Sequence, residues 1–216
     1  MLNILLKLIL FRKCKTFSIS NGIKYNRGMT YVELIVVLSI FSVMSSLVIF
    51  NYNEFQARVD IKNLANDIAL KIVDAQKSSI FGEFPSVAQQ AQITPTWKPS
   101  YGIYINPVLD NKSFVYFVDL NNDTFYQGPD CIEECIEKIS ITKENSISSL
   151  DVFYQDLTFQ NIGDATFSFI RPNSSAIIKS SAVLNPNISY VQITITSPQS
   201  IQSIIKLYLS GRIQIN

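Results

Sequence analysis

The sequence predicts an α+β protein: a long N-terminal α-helical spine, transmembrane and then amphipathic, packed on a C-terminal antiparallel β-sheet domain. Three observations predict this. Residues 29–81 contain neither glycine nor proline, the two strong helix breakers. Within that run, apolar residues after position 54 recur at helical spacing. Past Gly82 the chain turns to short β-branched and aromatic runs separated by Asn, Asp, Pro and Gly.

Composition bounds the function. Of 216 residues, 47% are hydrophobic and only 16% charged, more apolar than an ordinary soluble chain. Histidine is absent, which removes the commonest general base and the commonest metal ligand together. The net charge of +1 hides a split. Residues 1–28 hold six basic side chains and no acid, and the remaining 188 carry a net charge of −5. A basic segment ahead of an apolar run is a topology signal, with the N-terminus kept in the cytoplasm and the rest exported.

The run itself extends from Leu34 to Asn53 without a charge, 20 residues. At 1.5 Å per residue that is about 30 Å of helix, the thickness of a bilayer core. Twelve of residues 34–50 are Leu, Ile, Val or Phe. At the usual gain per residue they favour insertion by roughly 4–7 kcal/mol, against about 2.5–3.5 kcal/mol for an acid at the centre of a span. Glu33 lies at the end, where the penalty is smaller, so insertion wins.

Beyond the span, Ile61, Leu64, Ile68, Ile72 and Ala75 form one apolar stripe with Ala65 beside them, and Asp60, Asn63, Asp67, Lys71 and Asp74 lie opposite. Glu54→Arg58 and Asp67→Lys71 are acid-first pairs one turn apart. One continuous helix of about 50 residues follows, its first half apolar all round and its second half with a single stripe to cover. Residues 83–100, with three prolines and the polar run Gln89–Gln92, read as a loop. Strands are expected at 101–106, 113–119, 138–142, 150–155, 165–171, 175–180, 188–196 and 203–215, the last broken at Gly211.

The stretch Gly28-Met29-Thr30-Tyr31-Val32-Glu33, leading into that apolar run after a basic leader, resembles the cleavage and methylation signal of type IV pilins and type II secretion pseudopilins. The later region, with "YGIYI", "FVYFVDLNND" and a terminal "GRI", is loosely similar to the minor-subunit branch. The resemblance implies a leader, 1–28, removed by a prepilin peptidase that cuts after Gly28. It implies Met29 as the new, N-methylated terminus, where this family more often has Phe, and Glu33 as the fifth mature residue. A freed ammonium in hydrocarbon needs a partner. Glu33 sits one turn on, within reach of its own amine or that of a neighbour in a filament. The segments implied are the leader 1–28, a transmembrane half 29–53, an amphipathic half 54–81 and an exported β-rich domain 82–216. Implied partners are other pilin or pseudopilin subunits, the peptidase and an inner-membrane assembly platform. The implied location is the cytoplasmic membrane and then a surface or periplasmic filament.

Two constellations stand apart. "DLNNDTFYQGPD" sets Asp119, Asn121 and Asp123 at alternate positions with Asp130 beyond, an oxygen-rich pattern that suits calcium. A polar turn after a strand uses the same residues. Once Cys14 leaves with the leader, Cys131 and Cys135 remain, an even count that reads as a disulfide or as two free thiols; without histidine they do not make a zinc framework. The expected function is a non-enzymatic minor pilin or pseudopilin. The alternative is a membrane-tethered exported binding module or enzyme that does not polymerise. The acidic mature chain disfavours nucleic acid as a partner.

Overall fold

Helix α1 runs over Tyr31–Phe81 in the computed structural model, which describes residues 28–93, 95–126, 130, 131 and 133–216. The leader, apart from Gly28, lies outside the described residues. The chain divides between Ser46 and Leu47 into two units. In the first, every large apolar side chain from Leu34 to Met44 is exposed. Helix α1 is long and apolar enough to cross a membrane.

In the second unit the helix behaves differently. Ala57, Ile61, Ala65, Ile68, Ile72 and Ala75 are buried, one residue per turn or so along a single face. The helix ends in a Schellman motif: Glu83 N–H donates to Ser78 O at 3.0 Å and Gly82 N–H to Ser79 O at 3.2 Å. Gly82 takes φ +69° there, a conformation that favours glycine.

Ten strands follow: β1 Ser100–Ile105, β2 Ser113–Val118, β3 Cys135–Ser140, β4 Ser146–Tyr154, β5 Phe159–Ile162, β6 Ala165–Ile170, β7 Ala176–Lys179, β8 Ile188–Thr196, β9 Gln202–Tyr208 and β10 Ile213–Ile215. They form two antiparallel sheets of five, in the orders β3-β2-β1-β6-β7 and β10-β9-β8-β4-β5. One contiguous core joins the helix stripe to the inner faces of both, from Ile103 and Phe167 in the first sheet to Leu150, Ile193 and Leu207 in the second. Polar ties fix the helix over it. Ser79 Oγ donates to the carbonyls of Pro99 and Phe169 at 3.0 and 2.7 Å, and Gln76 Nε2 to Ser174 O at 2.7 Å.

The α+β expectation holds in outline, with differences that have physical reasons. Two sheets replace one. β5 was not expected as a strand: four residues, FQNI, are too short to show an alternation. β3 begins at Cys135 and β4 at Ser146, earlier than expected, because pairing with β2 and β8 overrides the low strand propensity of their charged and serine-rich starts. A short helix α2, Val87–Gln90, stands in the segment read as a loop. Glu54 and Arg58 do pair, at 2.6 Å. Lys71, expected to pair with Asp67, reaches instead across to Glu137 on β3, at 2.9 Å.

Ile68→Ala should destabilise the second unit by about 2–5 kcal/mol, as deletion of fully buried aliphatic side chains does. Leu70→Ala, on the exposed face of the same turn, should stay within about 0.5 kcal/mol of the parent. Denaturant unfolding of the full chain in detergent checks both.

Candidate functional site

The helix start is built from the residues that precede it. Gly28, Met29 and Thr30 are non-helical, and Tyr31 opens α1. Thr30 Oγ1 accepts the N–H of Glu33 at 3.3 Å, and Thr30 O accepts that of Leu34 at 3.0 Å. Thr30 is therefore the N-cap and Glu33 the third helical residue, the arrangement of a capping box. Sequence reasoning passed over this although Thr-x-x-Glu displays it. A carboxylate at that position also faces the positive end of the helix dipole, so Glu33 is favoured at the helix mouth on local grounds alone. Glu33 and Met29 are exposed. At Gly28 an added Cβ would meet nothing within 4 Å among the described residues.

The second candidate is the loop after β2. Asp119 is fully buried. Its Oδ2 accepts from Ser100 Oγ at 3.1 Å and from Thr124 N–H at 3.0 Å. Asn121 Oδ1 accepts Asp123 N–H and Asp123 Oδ1 accepts Phe125 N–H, both at 2.8 Å. These are Asx turns, and they hold Asn122 and Thr124 at positive φ. Glu134, which sequence reasoning missed, closes the loop from outside: its carboxylate accepts Leu120 N–H at 3.0 Å, and its carbonyl accepts Val118 N–H at 2.8 Å. The signal was an acid inside the Cys-x3-Cys segment.

That segment is pinned on two sides. Cys131 and Cys135 form a disulfide. From α2, Gln89 Nε2 donates to the carbonyls of Glu133 and Cys135, at 3.0 and 3.1 Å. Asp130 is exposed, and its carbonyl accepts from the Tyr126 hydroxyl at 2.6 Å.

A calcium ion would need several oxygens turned toward one point. Here Asp119 Oδ2, Asn121 Oδ1 and Asp123 Oδ1 turn toward the loop's own N–H groups. Among the described residues no group of three or more Asp, Glu, Cys or His side chains is placed to hold a metal ion. Asp119 Oδ1, buried and without a hydrogen-bond partner, is one unengaged oxygen rather than a shell. The donors do not fit calcium in this arrangement; they fit the polar turn.

Burial raises the Asp119 carboxyl above the ordinary range, and burial does the same to Glu134. An open cavity of about 540 Å³ adjoins the loop, lined by Asp123, Phe125, Ile178, Lys179 and Leu184. Lys179 Nζ donates to Asp123 O across its mouth. Comparison with known proteins gives no match: no family model, no curated protein and no solved structure is similar to the chain.

Two outcomes follow from the loop. A carboxyl whose folded-state pKa is raised stabilises the fold fully below the unfolded value, about 3.9 for Asp, and loses that contribution as pH rises through the folded value. Asp119→Asn should therefore flatten the fall in urea midpoint between the ordinary carboxylate range and neutral pH; equal slopes in both proteins would refute the assignment. Cys131→Ser with Cys135→Ser opens a short loop, for which the chain-entropy cost is about 2 kcal/mol. Thermal unfolding of oxidised protein against the double variant measures it.

Proposed function

We propose that the protein is a minor pilin or pseudopilin: a subunit cut after Gly28, anchored by the first half of α1 and assembled through that helix into a type IV pilus or a type II secretion pseudopilus. The observation that carries this reading is the join at the helix start. A glycine whose added Cβ would meet nothing among the described residues stands two residues before the N-cap, and an acid sits in the first turn of an exposed helix long and apolar enough to cross a membrane. A peptidase that needs an unencumbered backbone accounts for the glycine. In this reading the six basic residues of the leader hold the N-terminus in the cytoplasm and the second unit lies outside. Glu33 then neutralises a freed amine on Met29, its own or a neighbour's, where hydrocarbon penalises either charge alone. The β domain is a structural head rather than a catalytic one.

The alternative, a tethered module that never polymerises, has the cavity beside Lys179 in its favour. It gives no reason for Gly28.

The test is the intact mass and N-terminal residue of the chain expressed with and without active prepilin peptidase. A product beginning at Met29 only with the active enzyme is expected. A chain left whole by an enzyme that cuts a control substrate would move the tethered module to the front. Given cleavage, Glu33→Ala should leave the cut intact and remove the subunit from sheared filaments.

A further inference from the structure

The two sheets present four edges, β3, β7, β10 and β5. Natural edges avoid pairing through charge, proline or shortness, and three of these four are guarded. β3 holds Glu137 and Lys138. β7 ends on Lys179, and its Ala176 N–H is taken by Leu209 O at 2.9 Å. β10 is three residues long and follows Arg212. β5, Phe159–Ile162, carries neither charge nor proline.

The pairing of β5 with β4 fixes which of its main-chain groups stay open. Tyr154 N–H donates to Thr158 O at 3.0 Å, so 154 and 158 form a hydrogen-bonded pair. In an antiparallel ladder such pairs alternate, which makes Val152↔Gln160 and Leu150↔Ile162 the next two. Phe159 and Asn161, at the positions between, turn N–H and C=O away from β4. Among the described residues neither has a main-chain partner on that side.

Exposed apolar side chains gather around this edge. Phe159 lies on it, and Leu157, 92% exposed, comes just before it. Val108 Cγ2 comes within 3.4 Å of where a Cβ on Gly163 would sit, just past its end. Val108 and its neighbour Leu109 are both exposed. Val183, 91% exposed, is held alongside by the bond from Gln160 Nε2 to its carbonyl. A gathered patch of this kind marks an interaction surface. On the outer sheet face a row of rings also ends here: Phe159–Phe153, Phe153–Tyr190 and Tyr190–Tyr208, with centroids 5.6, 4.7 and 5.4 Å apart.

We infer that the β5 edge is an interface for a second copy of this chain, the two β5 strands pairing antiparallel across a two-fold axis at Gln160. The edge is complementary to itself. That axis sets Phe159 opposite the partner copy's Asn161, and Asn161 opposite its Phe159. All four open groups of each strand then find partners, and outer-face side chains remain on the outer face. Antiparallel pairing carries Leu157 of one copy toward Val108 and Leu109 of the other, so apolar meets apolar at both ends of the strand. The strand itself carries no charge. Of the acids that the axis sets opposite one another, Asp164 is buried against Ser180 and Ser181 and Asp156 turns back on Thr158. This pairing is independent of whether Gly28 is cut.

Sedimentation of the full chain in detergent, over a concentration series, should show a dimer. Leu157→Glu and Val108→Glu each place a charge on an exposed side chain that the pairing carries against the other copy. Each should weaken the dimer by about tenfold or more with thermal unfolding unchanged. Hydrogen exchange of the wild-type protein needs no variant: the amides of Phe159 and Asn161 should exchange about tenfold more slowly when concentrated than when dilute. A wild-type monomer throughout, a dimer that survives both substitutions, or exchange indifferent to concentration overturns the inference. Association through the apolar half of α1 gives the second and third of these results and is thereby told apart.

Discussion

One helical stripe organises the second unit. Ile61, Ala65, Ile68, Ile72 and Ala75 leave water entirely, and the inner faces of both sheets converge on them in a single core. Alanines are interspersed with isoleucines along the stripe, which lets the backbone approach the sheets while branched side chains fill the space between. The polar ties of Gln76 and Ser79 to strand and loop carbonyls fix the angular setting of that stripe, and the buried Ser79 hydroxyl finds there the acceptors it would otherwise lack. Apolar contact supplies the driving force, and the hydrogen bonds select one arrangement.

The same helix faces an opposite requirement in the first unit. There its apolar side chains are exposed all round, a surface that water disfavours and lipid or neighbouring helices accept. Its start is consequently the place where chemistry concentrates. The N-cap supplied by Thr30 satisfies one open N–H, and the adjacent carboxylate stands in the field of the helix terminus. An acid at this boundary is inexpensive before any filament exists. The proposed docking of an amine therefore builds on a charge that the helix already favours.

The polar loop after β2 shows how an oxygen-rich sequence is engaged by main-chain donors. Backbone N–H groups from Leu120, Asp123, Thr124 and Phe125 are the donors, and Asp119, Asn121, Asp123 and Glu134 the acceptors. Glu134 can reach Leu120 because the disulfide and Gln89 hold its segment in place. The consequence is a buried carboxylate, Asp119, with one oxygen unpartnered and a proton affinity raised by burial.

By itself the sequence determined the long helix, its change from all-round to one-sided apolar character, and most of the strands, because these depend on periodicities of 3.6 and 2 that neighbouring residues display. The T-x-x-E box was equally legible, being local. Tertiary structure decided what depends on residues distant in the chain: the division into two sheets, strand β5, the reach of Lys71 to Glu137, and the engagement of Glu134 by the loop. Strand β5 exists because β4 offers it a ladder. The open edge it leaves is a property of sheet order, which no local pattern encodes. The acidic loop is a case of the same kind: Asp-x-Asn-x-Asp specifies oxygens but not their directions. Directions are set by whichever N–H groups the fold brings near.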